Sequence, residues 1–173
     1  MLKGLALPGV SIMAFGGATV RDIINRVLAL DPDPHVETVT LLAGTNNVGR
    51  CESVWGIVSE YQELLRVVRR VFPEALINCI NLLPRGDRDD MVDLDLMRVN
   101  RLLEDYVTMD FMGATWVRLY RSFLVFGEDE VTLNNSLYGN GLLHLNRSGK
   151  VLLERAVLQH IDMALRYRAS FAA

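Results

Sequence analysis

Cysteine, histidine and lysine are scarce in this chain of 173 residues. Cys51 and Cys79 are the only cysteines, and their separation matches no metal clamp. They read as reduced structural thiols of a cytosolic or nuclear protein rather than as a disulfide framework. The histidines are His35, His144 and His160. None joins a cysteine or carboxylate at ligand spacing, so no metal and no other cofactor is expected. Lys3 and Lys150 are the only lysines; nearly all positive charge is arginine. No stretch reaches the roughly 18 apolar residues of a membrane span, and no membrane partner is expected. The start, "MLKGLALPGVSIMAF", has one positive charge and a short apolar run broken by Pro8, which makes a poor signal peptide. An intracellular location, cytoplasmic or nuclear, is the expectation. The formal net charge of −3 leaves no basic excess for bulk attraction to nucleic acid. Repeats, low-complexity tracts and linker-like shifts in composition are absent too.

What is present suits one globular domain. Half the residues are hydrophobic, enough apolar side chain for a real core. Strand and helix patterns alternate. "VSIMAF" (10–15) reads as a buried strand closed by the Gly16–Gly17 turn. "TVRDIINRVLAL" then places Val20, Ile23, Ile24, Val27 and Leu28 at helical spacing, and "DPDP" stops that helix. "VETVTLLAG" (36–44) is a β-branched strand ending in Gly44. An amphipathic helix over 52–72 ends at Pro73. "ALINCINLLP" (75–84) is a third strand, "RGDRDDMVDLD" a charged loop, 94–107 a helix and "ATWVRLY" (114–120) a fourth strand. "EDEVTLNNSLYGNG" reads as polar and irregular, and a helix closes the chain. Strands separated by helices imply an α/β domain of three layers, a parallel sheet flanked by helices. Ligands bind such sheets at the carboxyl ends of the strands. Gly16–Gly17, "GTNN" (44–47), the loop after Pro84 and His144 all fall there.

The chemistry those positions offer is specific. An Asn side chain after Gly44 presents an amide N–H that can stabilise an oxyanion. Gly17, without a Cβ, can offer its backbone N–H at close approach. His144, just before the last helix, stands where a general base would stand. Each stretch alone is also ordinary turn chemistry. Elsewhere the signals are bland. "GATVRD" and "RSGK" lack the glycines of a phosphate loop. "DRDDMVDLD" shares only composition with a calcium loop. "RVVRR" (66–70) reads as a solvated basic face. His35 sits in a proline-rich turn and His160 on a helix, as surface or packing residues.

Taken in order and spacing, "FGGATVRDI", "LLAGTNN" and "LHLNRSGK" resemble the SGNH (GDSL-type) hydrolase superfamily over about residues 10–160. "NLLPRGD", "RVNRLL" and "LYGNGLLHLN" are similar to segments of the esterase-like domains carried by some animal retroelements. The resemblance implies an SGNH/flavodoxin-like fold. It places Gly17 and Asn46 at the oxyanion-hole positions and His144 at that of the catalytic base. Family members usually read Gly-Thr-Asn-Asp; the fourth position here is Asn47, expected to weaken the turn's internal hydrogen bonding. The family's Gly-Asp-Ser block, with the nucleophile, is not found, so the chain reads as N-terminally truncated. Ser11 sits near the start of its strand and is no substitute. The triad acid would lie three residues before the histidine, where this chain has Gly141; Asn140 beside it carries no charge. His144 is therefore expected to be orphaned.

The resemblance then implies a domain without catalytic activity, kept for RNA or protein interaction, since a non-catalytic member of the superfamily occurs in a germ-plasm protein that binds RNA. The alternatives are an active serine esterase on acylated lipid or sugar, with its nucleophile supplied from outside this chain, and a nonfunctional remnant. With the serine-bearing strand missing, "VSIMAF" is expected to pair directly with "VTLLAG", and an exposed sheet edge to invite self-association.

Overall fold

The computed structural model describes residues 9–87, 90–111 and 113–170. Helix α1 (Val20–Leu28) begins in a reciprocal cap: the Thr19 hydroxyl accepts from the Asp22 N–H, while the Thr19 N–H donates to the Asp22 carboxylate at 2.9 Å. Its buried stripe is Val20, Ile24 and Val27. Strand β1 (Thr38–Leu41) runs into the short helix α2 (Thr45–Gly49), then into the long helix α3 (Val54–Val71). Ser53 caps α3 by accepting from the Gly56 N–H at 3.1 Å, and Pro73 lies just beyond its end. Strand β2 (Leu76–Ile80), helix α4 (Asp90–Asp105) and strand β3 (Ala114–Val117) follow. A hairpin of β4 (Leu124–Phe126) and β5 (Val131–Leu133) leads to the final helix α5 (Arg147–Ala169).

The three central strands are parallel in the order β1-β2-β3, with Thr40 beside Asn78 and Asn78 beside Thr115. Their side chains alternate between two cores, as strand geometry requires. Ile77, Cys79, Leu41 and Trp116 pack with α1, α3 and α4. Ile80 and Val117 face the other way, onto Leu152, Leu153, Ala156 and Val157 of α5. The result is the expected layering: helices, parallel sheet, helix. Arg168 of α5 donates to the Glu74 carbonyl at the entrance to β2, so α5 runs antiparallel to that strand. No described helix is long and apolar enough to cross a membrane.

One expected strand does not form. Residues 10–15 adopt no regular structure and are largely exposed, with Met13 57% accessible. Phe15 is held instead by the Arg26 guanidinium, 4.0 Å above its ring. "VSIMAF" therefore does not pair with "VTLLAG", and β1 is a sheet edge among the described residues. Apolar, β-branched sequence makes a strand only where a neighbour takes its backbone groups. Among the described residues, 10–15 have no such neighbour. The structure also differs at two loops. Helix α4 starts at Asp90, inside the acidic stretch expected to be a loop, and "EDEVTLNNSLYGNG" contains β5. Cys51 is exposed, so only buried Cys79 is a structural thiol; both are free.

Candidate functional site

Three loops meet beyond the carboxyl ends of β1 and β2, joined by hydrogen bonds between segments far apart in sequence. The first is the glycine turn. Gly17 has φ +74° and is exposed. The Asn46 side-chain amide donates to the Ala18 carbonyl at 2.8 Å, and Arg50 donates to the Gly17 carbonyl at 3.0 Å. Thus the structure brings Gly17 and Asn46 together, with one of the two Asn46 N–H groups spent on closing the turn. Asn47 lies deeper, fully buried. Its side-chain oxygen accepts from the Val20 N–H at the start of α1 (2.9 Å), and its amide donates to Glu52 (2.8 Å). Asn47 therefore fastens α1 to α2. An aspartate could accept from Val20 but could not also donate to Glu52. The expected weakening at this position is not what the structure shows.

The second loop follows β2. The strand's continuation is held by one backbone bond to β3, from the Asn81 N–H to the Val117 carbonyl at 3.1 Å, and beyond it by side chains. Asn100 of α4 accepts from the Leu82 N–H at 2.7 Å and donates to the Leu82 carbonyl at 2.9 Å, as a paired backbone would. Asn81 accepts from the N–H groups of Leu119 and Tyr120, at 2.8 and 3.1 Å. Beyond Pro84, Arg85 is nearly inaccessible and makes a two-pronged pair with Asp87, both bonds 2.7 Å. Its remaining arm donates to the Thr45 carbonyl of α2 at 2.9 Å. A guanidinium is suited to this because its planar fork serves several acceptors at once.

The third loop carries His144. Tyr138 donates its hydroxyl to the Pro84 carbonyl at 2.6 Å, and the Gly86 N–H donates to the Leu142 carbonyl at 3.0 Å. Burial raises the Tyr138 phenol well above its ordinary pKa, so it stays a donor. Asn146 caps α5 by accepting from Gly149 and donates to the Ser136 and Tyr138 carbonyls. Gly149 is obligatory: a Cβ there would collide with the Leu137 carbonyl oxygen. The loop is thus joined through Pro84–Arg85 to the helix bearing Asn46. His144 itself is exposed, and its imidazole has no hydrogen-bond partner among the described residues. Gly141, at the acid's position, is exposed with φ +83°, and Asn140 is exposed beside it. Ser11 lies in the exposed segment 10–15.

His35 is exposed in its turn, while the His160 ring bonds the Ala156 carbonyl of its own helix at 2.7 Å. Of the "RVVRR" arginines, Arg69 anchors the amino end of the sheet through the Pro73, Ala75 and Gly113 carbonyls. Arg66 and Arg70 are exposed. Among the described residues no cluster of histidine, cysteine and carboxylate could hold a metal ion.

The fold is similar to several solved structures. A GDSL-like lipase from Bacteroides thetaiotaomicron superposes with TM-score 0.67 at 17% identity, over 73% of its chain and 86% of this one. A carbohydrate esterase of family 3 from Talaromyces cellulolyticus does so at 0.67 and 16%, over 70% of its chain and 87% of this one. The OSK domain of Drosophila Oskar matches at 0.65 and 16%, over 71% of its chain and 86% of this one. No curated protein matches the chain. The model of the GDSL-like lipase/acylhydrolase family matches residues 3–152, nearly the whole of the α/β domain, and the chain belongs to that family.

Proposed function

We propose that this chain is a non-catalytic SGNH-hydrolase-like domain of retroelement origin, kept as an RNA- or protein-interaction module. The observation that carries the reading is the state of His144. A general base needs a group to deprotonate and a partner that orients it. This imidazole is exposed and unpartnered among the described residues, and a left-handed glycine occupies the position of its acid. Similarity to the OSK domain shows that the same architecture also occurs outside proteins described as lipases or esterases. Exposed Arg66 and Arg70, one turn apart on α3, offer phosphate-binding groups to RNA. A second reading, an active serine esterase on acylated lipid or sugar, is favoured by the retained contact between the Gly17 turn and Asn46. It needs a serine from outside these 173 residues.

Two assays separate these readings. Hydrolysis of short-chain p-nitrophenyl esters is expected to match a His144→Ala blank, with no labelling by a serine-directed phosphonate. Turnover that disappears in the blank would establish the enzyme. An RNA pull-down is expected to weaken in Arg66→Glu/Arg70→Glu. Equal recovery by both proteins would remove RNA as the partner.

A further inference from the structure

One stripe of helix α3 carries no carboxylate. Trp55, Ser59, Gln62, Arg66 and Arg70 recur at helical spacing and share one side of the helix. Ile57, Tyr61, Leu64 and Val68 form the opposite, buried side. Ser59, Arg66 and Arg70 are exposed, and Trp55, in the first turn, is 71% accessible. The other tryptophan, Trp116, is buried in the core. Glu60 and Glu63, the two carboxylates of α3, sit on the flank towards α1, where Arg21 pairs with both. Arg69, on the other flank, is engaged by backbone carbonyls. Arg66 and Arg70 make no hydrogen bond or ion pair among the described residues.

We infer that this stripe binds single-stranded RNA, with a base stacked on the Trp55 indole and backbone phosphates held by Arg66 and Arg70. The inference rests on the RNA reading above; it adds the form of the RNA and the residue that selects it. Two chemistries on one stripe point to this ligand. Guanidinium groups free of carboxylates bind phosphate oxygens in two-pronged pairs. An exposed indole presents a flat apolar face on which any unpaired base can stack. In a duplex the base faces are covered by their neighbours, so a side chain on a convex helix meets only phosphate and sugar. A single strand can splay a base onto the indole while its backbone follows the helix. The dimensions agree with this. Arg66 and Arg70 are about 6 Å apart along the helix axis, and Trp55 lies roughly 16 Å before Arg66. An extended strand of a few nucleotides covers that length. Ser59 and Gln62, between the indole and the arginines, are polar. A protein interface would want an apolar centre there, whereas sugar hydroxyls and base edges are met by such groups.

Trp55 also supplies the readout, because Trp116 is shielded. The 173-residue protein is titrated with a short oligouridylate, with a short oligoadenylate, and with the duplex the two form. Tryptophan emission and the anisotropy of labelled RNA are followed together. Stacking tolerates any base, so homopolymers suffice. Quenching of Trp55 by either single strand is expected, with weaker binding and no quenching by the duplex. Trp55→Ala places a strong helix former at an exposed site. It is expected to keep the circular-dichroism spectrum and to bind single strands roughly tenfold less well. Arg66→Ala/Arg70→Ala is expected to flatten the slope of log affinity against log salt by about 1.4, the value for two phosphates of a single strand. Single-strand binding that Trp55→Ala leaves intact, or equal affinity for the duplex, overturns the inference while the RNA reading stands. A parent that binds none of these RNAs overturns both and leaves a protein as the partner.

Discussion

Replacing Asn100 tests how the strand ends are held. Among the described residues its amide alone partners the two backbone groups of Leu82, a residue with no accessible surface. Asn100→Ala removes both bonds and leaves a buried N–H and a buried C=O unpaired. Each such group costs about 1–3 kcal/mol, so roughly 3–4 kcal/mol is expected in total. That is a large share of the roughly 5–15 kcal/mol that holds a domain together. At this chain length it corresponds to a fall in Tm of roughly 6–16 °C. Asn100→Asp sharpens the argument because it changes chemistry at nearly constant shape. The ionised carboxylate accepts from the Leu82 N–H but opposes the Leu82 carbonyl with nothing to donate. The protonated acid can do both. Its folded-state pKa is therefore raised above the unfolded value. The stability of this variant is full at low pH and lost as pH rises through the folded pKa. Thermal melts of the parent and both variants at pH 4 and pH 7 measure this. An alanine variant within about 0.5 kcal/mol of the parent would refute the reasoning, as would an aspartate variant whose deficit ignores pH.

Other outcomes follow from the same contacts. Cys79 lies under α3 with its thiol pushed up to about 12 by burial, whereas Cys51 is exposed. Iodoacetamide at pH 8 is therefore expected to modify Cys51 alone in the folded protein and both thiols in urea, read by mass spectrometry. The Thr19 backbone and hydroxyl hold the Asp22 carboxyl below its ordinary value of 3.8. Its stabilising contribution is present above that value and lost as pH falls through the lower folded one; acid titration of Asp22→Asn should lack this component. Gly141→Asp forces a β-carbon residue into φ +83° and is expected to destabilise the loop by about 1–2 kcal/mol without creating ester hydrolysis. A gain of turnover would show that a nucleophile is already in place.

Local pattern was enough for much of the fold. Thr19, the Val20–Ile24–Val27 stripe and "DPDP" bound α1 by chemistry within a few residues of one another. Ser53 and Pro73 bracket α3 in the same way. Alternation of strand and helix implied the parallel sheet, and motif order singled out Gly17, Asn46 and His144 as candidate site positions. Tertiary structure decided the rest, because the deciding partners are distant in sequence. "VSIMAF" has strand composition and no strand, since pairing depends on a neighbour and not on the segment. Asn47 looked like a weak substitute in a turn until its bonds to Val20 and Glu52 were placed. Arg85 looked like part of a charged loop, yet it is buried between Asp87 and Thr45. The role of Asn100 could not be read from "RVNRLL", because Leu82 reaches it only after β2 and α4 have packed. Side-chain hydrogen bonds across long loops have no period in the sequence; they exist only where packing excludes water and leaves backbone groups to be satisfied.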